Sequence, residues 1–280
     1  MLPHRFALLV LFGAFSLIAV AIGVYICALS GAPSALWLRN LAAWGVGALL
    51  AFGLAFVRRR EALHVALWAA PLALLATFLS PAQEGVHRWI DTGPLHINAA
   101  MLTLPAAAVS LAVLARDRPW VWIASFTSML LLVLQPDASQ ATTLAVIMVA
   151  IAAAAAARPL LRAGIIVAAT ALATLAWFQR DPLQPVPEVE DILELAFAIA
   201  PILAAAALAA LVLTAISAEI ITRYQREAPR VAGWVLTLCF LGWIATTYFG
   251  AYPVPWVGTG LSPIIGAWLG VGLLVGLRRA

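Results

Sequence analysis

Long apolar runs alternate with short polar segments along the whole chain. A helix that crosses a bilayer needs about 20 mostly apolar residues in succession, and ten runs approach that length. The predicted spans are 6–29, 35–57, 62–80, 97–115, 119–135, 140–157, 160–178, 192–217, 231–250 and 261–277. The pattern predicts an all-α integral membrane protein, in which residues 1–280 form a single polytopic membrane domain with ten transmembrane helices.

Composition indicates that the solvent of this chain is a bilayer. Hydrophobic residues make up 65% of it and charged residues 10%, which is more apolar surface than a soluble domain could bury. The net charge of +4 is therefore not the footprint of a nucleic-acid partner. Cys27 and Cys239 lie in apolar runs without metal-ligand spacing, so we expect small buried hydrophobic residues. The first run lacks a clear cleavage site and is expected to be a helix, not a removed signal.

All sixteen basic residues are arginines, and their positions predict the side of the membrane on which each segment lies. With the N-terminus inside, thirteen of them are cytoplasmic: Arg5, Arg58, Arg59, Arg60, Arg116, Arg118, Arg158, Arg162, Arg223, Arg226, Arg230, Arg278 and Arg279. Arg39, Arg88 and Arg180 remain outside. This bias is the positive-inside signal, and it is lost if one span is added or removed. It predicts that both termini are cytoplasmic.

The predicted outer loops lie at about 80–97, 179–191 and 251–260, and acidic residues gather on their side. Eight acids fall outside or at the outer boundary: Glu84, Asp91, Asp137, Asp181, Glu188, Glu190, Asp191 and Glu194. Because acidic residues contribute little to membrane topology, this skew needs another cause. We therefore expect any chemistry of the protein to lie on the outer face.

The first outer loop runs directly into the fourth apolar run as GVHRWIDTGPLHINAAMLTL, residues 85–104. Topology gives Arg88 no reason to lie outside, and the neighbouring Trp89 could shield its charge. A guanidinium offers a fork of donors that matches two oxygens of a phosphate or carboxylate at once. The alternative is a structural ion pair between Arg88 and either Asp91 or Glu84.

Asp137 lies in the short segment Gln135-Pro136-Asp137 between the fifth and sixth predicted spans. An ionisable side chain near membrane depth is costly to bury and is therefore a candidate functional group. The alternative, which we favour, is a helix cap in which Asp137 accepts hydrogen bonds from the free amides of the sixth helix.

The third outer segment, QRDPLQPVPEVEDILEL at 179–195, combines three prolines with a cluster of acids. The prolines keep it extended, and Glu188, Glu190, Asp191 and Glu194 follow at the start of the eighth span. Clustered carboxylates raise one another's affinity for protons, which suits a general base or a divalent-cation site. The alternative is a favourable interaction with the dipole at the helix N-terminus, which needs no function.

These segments together resemble the SEDS family, the FtsW/RodA/SpoVE-like ten-helix membrane proteins of bacterial elongation, division and sporulation. The family pattern G-x-x-R-W-I-x-x-G-P is matched by Gly85, Arg88, Trp89, Ile90, Gly93 and Pro94, and Q-P-D by Gln135, Pro136 and Asp137. With one residue deleted, P-E-x-H-T-D-F-I-F-A resembles Pro187, Glu188, Asp191, Phe197 and Ala198, and L-P-F-x-S-Y-G-G-S resembles Pro255, Trp256, Gly260 and Ser262. The resemblance covers essentially the whole chain.

The chain also departs from the family at positions that bear on chemistry. Where the family has Q-P-S-E followed by Lys, this chain has Asn98 to Met101 and then Leu104. A membrane Glu and a membrane Lys are thus both replaced by apolar residues. Val189 and Glu190 replace the His-Thr that precedes the Asp of the family pattern, which Asp191 matches. The outer loop before them is much shorter than in the family. The resemblance is to a short, divergent member of the family.

The resemblance implies polymerisation of lipid II, the undecaprenyl-pyrophosphate-linked peptidoglycan precursor, at the bacterial inner membrane during elongation or division. It makes Asp191 the candidate catalytic base, helped by a divalent cation (Mg²⁺ or Mn²⁺) with Glu190, Asp191 and Glu194 as candidate ligands. The candidate substrate-binding residues are Arg88, which we infer contacts pyrophosphate, Trp89, Asp137 and Glu188. A class B penicillin-binding protein and membrane lipids are the expected partners.

Two other functions stay open. The loss of the family Glu and Lys positions favours a non-catalytic SEDS-like scaffold, or a protein that binds a lipid-linked sugar and partners a transpeptidase. A small proton-coupled transporter is less favoured, because no predicted helix interior carries a paired charge and no inverted repeat is visible.

Overall fold

The computed structural model describes residues 6–57, 59–155, 158–179 and 181–277, and most of them are helical. The helices are α1 (Ala7–Leu29), α2 (Ser34–Leu54), α3 (Arg59–Ala76), α4 (Ala99–Leu114), α5 (Val121–Leu134), α6 (Ala138–Ala155), α7 (Pro159–Phe178), α8 (Ile192–Ile199), α9 (Pro201–Thr222), α10 (Glu227–Thr246) and α11 (Leu261–Leu277). A 3-10 turn, Thr77–Leu79, continues α3. A hairpin of β1 (Trp89–Asp91) and β2 (His96–Asn98) precedes α4.

The eighth predicted span is divided into two helices, because a proline follows the end of α8. Pro201 is the first residue of α9, and a residue that precedes proline is disfavoured in the α region. Ala200 accordingly has an extended backbone, with φ −163° and ψ 129°. The two helices remain in contact, so they share the stretch that the sequence predicts as one span.

Six helices are long and apolar enough to cross a membrane: Ala7–Leu29, Ser34–Leu54, Glu61–Leu79, Pro159–Phe178, Pro201–Thr222 and Glu227–Thr246. Four shorter apolar helices occupy the remaining predicted spans: Ala99–Leu114, Val121–Leu134, Ala138–Ala154 and Leu261–Leu277. These features identify a multi-pass membrane protein, while the full count of ten spans stays a prediction.

The short helices α4 and α11 lie at the centre of the bundle and are buried along most of their length. α11 packs against α2 and α4, α10 packs against α4, α6 and α9, and α3 packs against α4. Aromatic residues fill the interior around α10, where the rings of Phe240 and Trp256 meet edge to face at 5.2 Å. The neighbouring Trp243 is also fully buried.

Two glycines of α11 allow this helix to lie close to its neighbours. A Cβ on Gly266 would collide with the backbone carbonyl oxygen of Met101 in α4. A Cβ on Gly272 would lie 2.6 Å from the Cα of Ala51 in α2. Small residues allow helix backbones in membranes to approach each other in this way. The position of α11 therefore depends on residues without side chains.

The three segments that the sequence predicts as outer loops meet at one end of the bundle. The carbonyl of Val189 accepts a hydrogen bond of 3.0 Å from the amide of Val254, and the carbonyl of Glu188 accepts one of 2.9 Å from Thr259. The amide of Asn98, at the end of the hairpin, donates to Oγ of Ser262 at 2.9 Å. These bonds connect the start of α4, the loop before α8 and the loop before α11.

Candidate functional site

A tight turn and a short hairpin hold Arg88 at the start of α4. Gly85 has φ +87°, a conformation that favours glycine. It lies in a turn whose ends, Gln83 and Val86, exchange backbone hydrogen bonds of 3.0 and 2.8 Å. β1 then pairs antiparallel with β2, and the carbonyl of Arg88 accepts a hydrogen bond of 3.2 Å from the amide of Ala99.

Arg88 is the centre of a buried charged cluster and is only 4% exposed. Its Nη2 lies 2.6 Å from Oδ2 of Asp181 and also donates to the carbonyl of Pro136. Its Nε lies 3.9 Å from Oδ2 of Asp137. The guanidinium carbon is 5.8 Å from the centre of the Tyr252 ring, within the range of a cation–π interaction. One side chain thus joins four separate segments of the chain.

The charge of Arg88 is neutralised inside the protein. Burial disfavours this charge, but Asp137 and Asp181 outweigh burial, so the pKa of Arg88 is raised above its ordinary value. Burial also raises the pKa of Tyr252, and its phenol therefore stays neutral. Of the two sequence interpretations of Arg88, this geometry matches the structural ion pair.

The partners of Arg88 differ from the expected ones. Asp91 instead pairs with His96 across the hairpin, with 2.6 Å between Oδ1 and Nδ1, and Glu84 is exposed in the preceding turn. Arg88 precedes β1 and pairs with carboxylates from distant parts of the sequence, Asp137 and Asp181.

Asp137 forms the helix cap that the sequence favoured. Its Oδ1 accepts a hydrogen bond of 3.1 Å from the amide of Gln140 in the first turn of α6. Gln140 in turn accepts a hydrogen bond of 2.8 Å from Nε1 of Trp243 in α10. Asp137 is 3% exposed, and it combines the cap with the ion pair to Arg88.

Two adjoining cavities lie among these loops, and we refer to them together as the loop cleft. The smaller, of about 100 Å³, borders the Arg88 cluster, and the larger, of about 300 Å³, extends towards α2 and α11. Both are lined by Gln83, Trp89, Asn98, Met101, Glu190 and Pro253. Trp89 therefore contributes to the cleft, as its assignment to substrate binding requires.

Two residues of α2 in the larger cavity, Arg39 and Asn40, were not singled out from the sequence. Arg39 is exposed, so its guanidinium is accessible in a way that the buried Arg88 is not. Asn40 is 1% exposed, and its Nδ2 donates to the carbonyl of Gly258 at 2.8 Å. Its Oδ1 has no hydrogen-bond partner among the described residues. The sequence did contain an indication for Arg39, because it is one of the three arginines predicted to lie on the outer side of the membrane.

Glu190 alone of the four carboxylates described at 188–194 lines the loop cleft. One of its oxygens accepts a hydrogen bond of 2.7 Å from the amide of Val186. Burial, with a smaller contribution from Asp191, raises the pKa of Glu190 to about 7. Asp191 is the N-cap residue of α8, and its side chain makes no capping hydrogen bond. Glu188 contributes its backbone carbonyl to the loop contacts described above.

The candidate metal ligands do not converge. Within the parts of the chain that the structure describes, no group of three or more His, Cys, Asp or Glu side chains could hold a metal ion. Glu190 lines the loop cleft, Asp191 begins α8 and Glu194 is exposed on that helix. Because this donor set does not fit a divalent cation, we assign no chemical step to one at these residues.

Met101 and Leu104 occupy the positions where the family pattern has Glu and Lys. Both are 2% exposed, within the hydrophobic core. The amide of Met101 is bound by the side chain of Asn98, which caps α4 at 2.9 Å. Leu104 is thus integrated into an apolar interior, whereas Met101 also borders the loop cleft.

The fold and the site define a multi-pass helical membrane protein with a charged cleft between loops at one end of its bundle. Its fold is that of RodA, a SEDS-family protein. Crystal structures of the rod shape-determining protein RodA from Thermus thermophilus superpose with TM-scores of 0.69, for an aspartate-to-alanine mutant, and 0.61, both at 22% identity. The first comparison covers 100% of this chain and 98% of RodA, and the second covers 98% and 96%.

A chain from a structure on the coordination of polymerization and crosslinking by a peptidoglycan synthase complex gives a TM-score of 0.65 at 21% identity. This comparison covers 98% of that chain and 100% of the present one. No protein-family model matches the chain, and no curated protein matches it. The predicted resemblance to the SEDS family is confirmed at the level of the fold.

Proposed function

We propose that the chain is a member of the SEDS family in the bacterial inner membrane, with ten spans and both termini in the cytoplasm. The full-length likeness to RodA supports this proposal. The distribution of arginines supports it as well. With the ten predicted spans, thirteen of sixteen arginines lie on the cytoplasmic side, and this bias is lost if one span is added or removed. The loop cleft would then open on the outer face.

We further propose that the protein acts on, or binds, lipid II during the synthesis of peptidoglycan strands. The observation that carries this proposal is the loop cleft itself, at one end of a RodA-like bundle. It brings an exposed cation, Arg39, and a carboxylate, Glu190, to the walls of one cavity. A lipid-linked sugar diphosphate needs both kinds of group, because its anion requires a cation and its sugar hydroxyls require acceptors.

In this proposal Arg39 is the main contact for the diphosphate. Arg88 was the cation inferred from the sequence, but its Nη2 is already bound to Asp181 and Pro136. Arg39 lines the larger cavity and is exposed, so its donors are available to a ligand. Arg88 would then support the site by holding the hairpin against the loops that contain Asp137 and Asp181.

A class B penicillin-binding protein is the proposed protein partner. One structure that this chain resembles belongs to a complex described as coordinating polymerization and crosslinking. Co-purification of the full chain with a tagged transpeptidase encoded beside it tests this proposal. Recovery equal to that with an unrelated single-span membrane protein would count against it.

The test of the activity is polymerisation of fluorescent lipid II by the purified full chain, in proteoliposomes, with its cognate transpeptidase. We expect glycan strands that grow with time and are degraded by a muramidase. An Arg39→Ala variant should require more lipid II for the same rate, because the diphosphate contact is lost. Absence of strands from the unmodified protein, where RodA produces them, would overturn the polymerase assignment.

A non-catalytic role is the second candidate, and the burial of Met101 and Leu104 favours it. The positions of a Glu and a Lys in the family pattern hold apolar side chains here, each 2% exposed, and Met101 puts one of them at the wall of the loop cleft. Binding of fluorescent lipid II without strand formation would support this alternative. The divalent cation predicted from the resemblance stays a prediction, and strand formation with and without EDTA tests it.

A further inference from the structure

We propose that Glu190, and not Asp191, is the acid–base residue of the loop cleft. This inference rests on the proposed action on a lipid-linked sugar diphosphate and assigns a further catalytic residue to it. Asp191 reaches its place in the family pattern only when one residue is deleted. The structure allows an independent comparison of the two residues, because it shows which carboxylate a ligand in the cleft would contact.

The position of Glu190 is the first argument. Glu190 lines both cavities of the loop cleft, whereas Asp191 is the N-cap residue of α8. The carboxylate of Glu190 is oriented by its hydrogen bond of 2.7 Å from the amide of Val186. That bond engages Oε2 and closes a turn in the loop before α8, so the group is held in place by its own backbone.

The surroundings of Glu190 indicate a built ligand site. Asn40 is 1% exposed, lines the same cavity, and has a carbonyl oxygen, Oδ1, without a hydrogen-bond partner among the described residues. A buried acceptor without a donor is costly, and a hydroxyl or amide of a ligand would satisfy it. Arg39 adds a cation to the same walls.

Several charged or titratable groups lie beside Glu190 or line the same cavities. These are Asp191 beside it, Arg88 and Asp137 on the smaller cavity, and Arg39 and His96 on the larger one. Among the described carboxylates at 188–194, Glu190 is the one that a ligand in the cleft would contact. A carboxylate in contact with a sugar hydroxyl can act as its general base.

The step assigned to Glu190 is proton removal during glycosyl transfer. The hydroxyl oxygen of the acceptor sugar forms a bond to the anomeric carbon of the donor, while the bond from that carbon to the diphosphate oxygen breaks. The hydroxyl proton passes to the carboxylate of Glu190. The lipid diphosphate leaves with the bonding electron pair, and Arg39 stabilises its negative charge.

The experiment compares Glu190→Gln with Asp191→Asn in the fluorescent lipid II assay, with Glu84→Gln in the exposed turn as a matched carboxylate control. We expect Glu190→Gln to lower the rate constant by about 10²-fold or more, the range of a lost general base. It should still bind lipid II and unfold at no lower temperature, because Gln can also accept from Val186. Glu190→Asp should recover part of the rate.

The outcomes separate this inference from the proposed function. Strands from the unmodified protein and equally from Glu190→Gln overturn only the acid–base assignment. Loss of activity in Asp191→Asn with activity kept in Glu190→Gln returns the role to Asp191. Absence of strands from the unmodified protein overturns both the activity and the assignment.

Discussion

At the scale of single residues, Arg88 shows how a buried charge can determine the arrangement of several loops. It contacts Asp181, Pro136 and Asp137, which lie in segments far from it in sequence. A buried ion pair contributes little more to stability than an apolar pair of similar volume, but removing one partner leaves an uncompensated buried charge. Each charge in the cluster therefore stabilises the protein mainly by compensating the other buried charges.

We predict that Arg88→Met destabilises the protein by about 3–5 kcal/mol, the usual cost of leaving a buried charge without its partner. Arg118→Met is the matched control, because Arg118 is exposed. Thermal unfolding in detergent, followed by intrinsic fluorescence, measures both. Asp181→Asn should cost less than Arg88→Met, because the Asp181 side chain is 23% exposed. Equal unfolding temperatures for the two arginine variants would contradict the buried cluster.

The pKa of Glu190 predicts a dependence of stability on pH. Its pKa is raised from 4.5 to about 7 in the folded protein. Between these values the folded state holds a proton that the unfolded state has released, so stability falls as pH rises through this window. The loss is at most about 3 kcal/mol, and solvent screening reduces it.

Glu190→Gln removes this titration. The variant should gain stability relative to the unmodified protein as the pH rises from about 4.5 to 7, with no further gain above that range. Unfolding temperatures across a pH series measure the difference. Contributions from groups that the two proteins share largely cancel in this difference. A difference that is constant or decreases with pH would argue against a raised pKa of Glu190 in the folded protein.

The sequence could predict part of the site at this scale. The cap formed by Asp137 follows from local chemistry, since an Asp that precedes a helix accepts from its free amides. The partner of Arg88 could not be predicted, because Asp181 is brought near by the packing of separate loops. Asn40 gave no signal, since one polar residue in an apolar run becomes notable only when its surroundings are known.

At the scale of elements, turn and helix chemistry explain most of the boundaries. The apolar runs fall on helices, and the one predicted span that is divided has a proline at the break. That break follows from a local rule about the residue before proline. The hairpin was not predicted, because its strands are only three residues each and lie within a loop that the hydrophobic pattern does not resolve.

The contact between α11 and α2 predicts a strong effect of a single methyl group. Gly272→Ala would place a Cβ 2.6 Å from the Cα and 2.7 Å from the carbonyl oxygen of Ala51. Overpacking of this kind costs about 1–3 kcal/mol. Gly53→Ala in α2 is the control, because its Cβ would have nothing within 4 Å. It should be neutral or stabilising, since alanine favours helices over glycine by about 1 kcal/mol.

Thermal unfolding of the two alanine variants in the same detergent measures this effect. The Gly272 variant should unfold at a lower temperature than the unmodified protein, and the Gly53 variant at the same temperature or a higher one. If the two variants behaved alike, α11 and α2 would not be as close as described.

At the scale of the whole molecule, the arginine distribution predicts the orientation in the membrane. Gln184 and Gln225 are both exposed, the first in the loop before α8 and the second between α9 and α10. The native Cys27 and Cys239 are buried and should react little. A membrane-impermeant maleimide should label Gln184→Cys in intact cells and Gln225→Cys only after permeabilisation. Labelling of Gln225→Cys from outside would overturn the ten-span topology.

The overall fold was the most predictable property, because a bilayer imposes long apolar runs and a charge bias that are both visible in sequence. The likeness to RodA confirms the fold. The loop cleft was less predictable. The motif around Arg88 was visible, but which of several acids faces a cavity depends on the path of the loop before α8, which no periodicity specifies.

The hydrogen bond between Asn40 and Gly258 joins residues that are 218 positions apart, and the one between Asn98 and Ser262 joins residues 164 apart. Proteins are made from the N-terminus, and early segments insert before later ones exist. During synthesis α2 and the hairpin are therefore in place while part of the cleft is still unformed. The cleft is completed only when the loop before α11 has been made, so a chain truncated before that loop would lack part of the cleft walls.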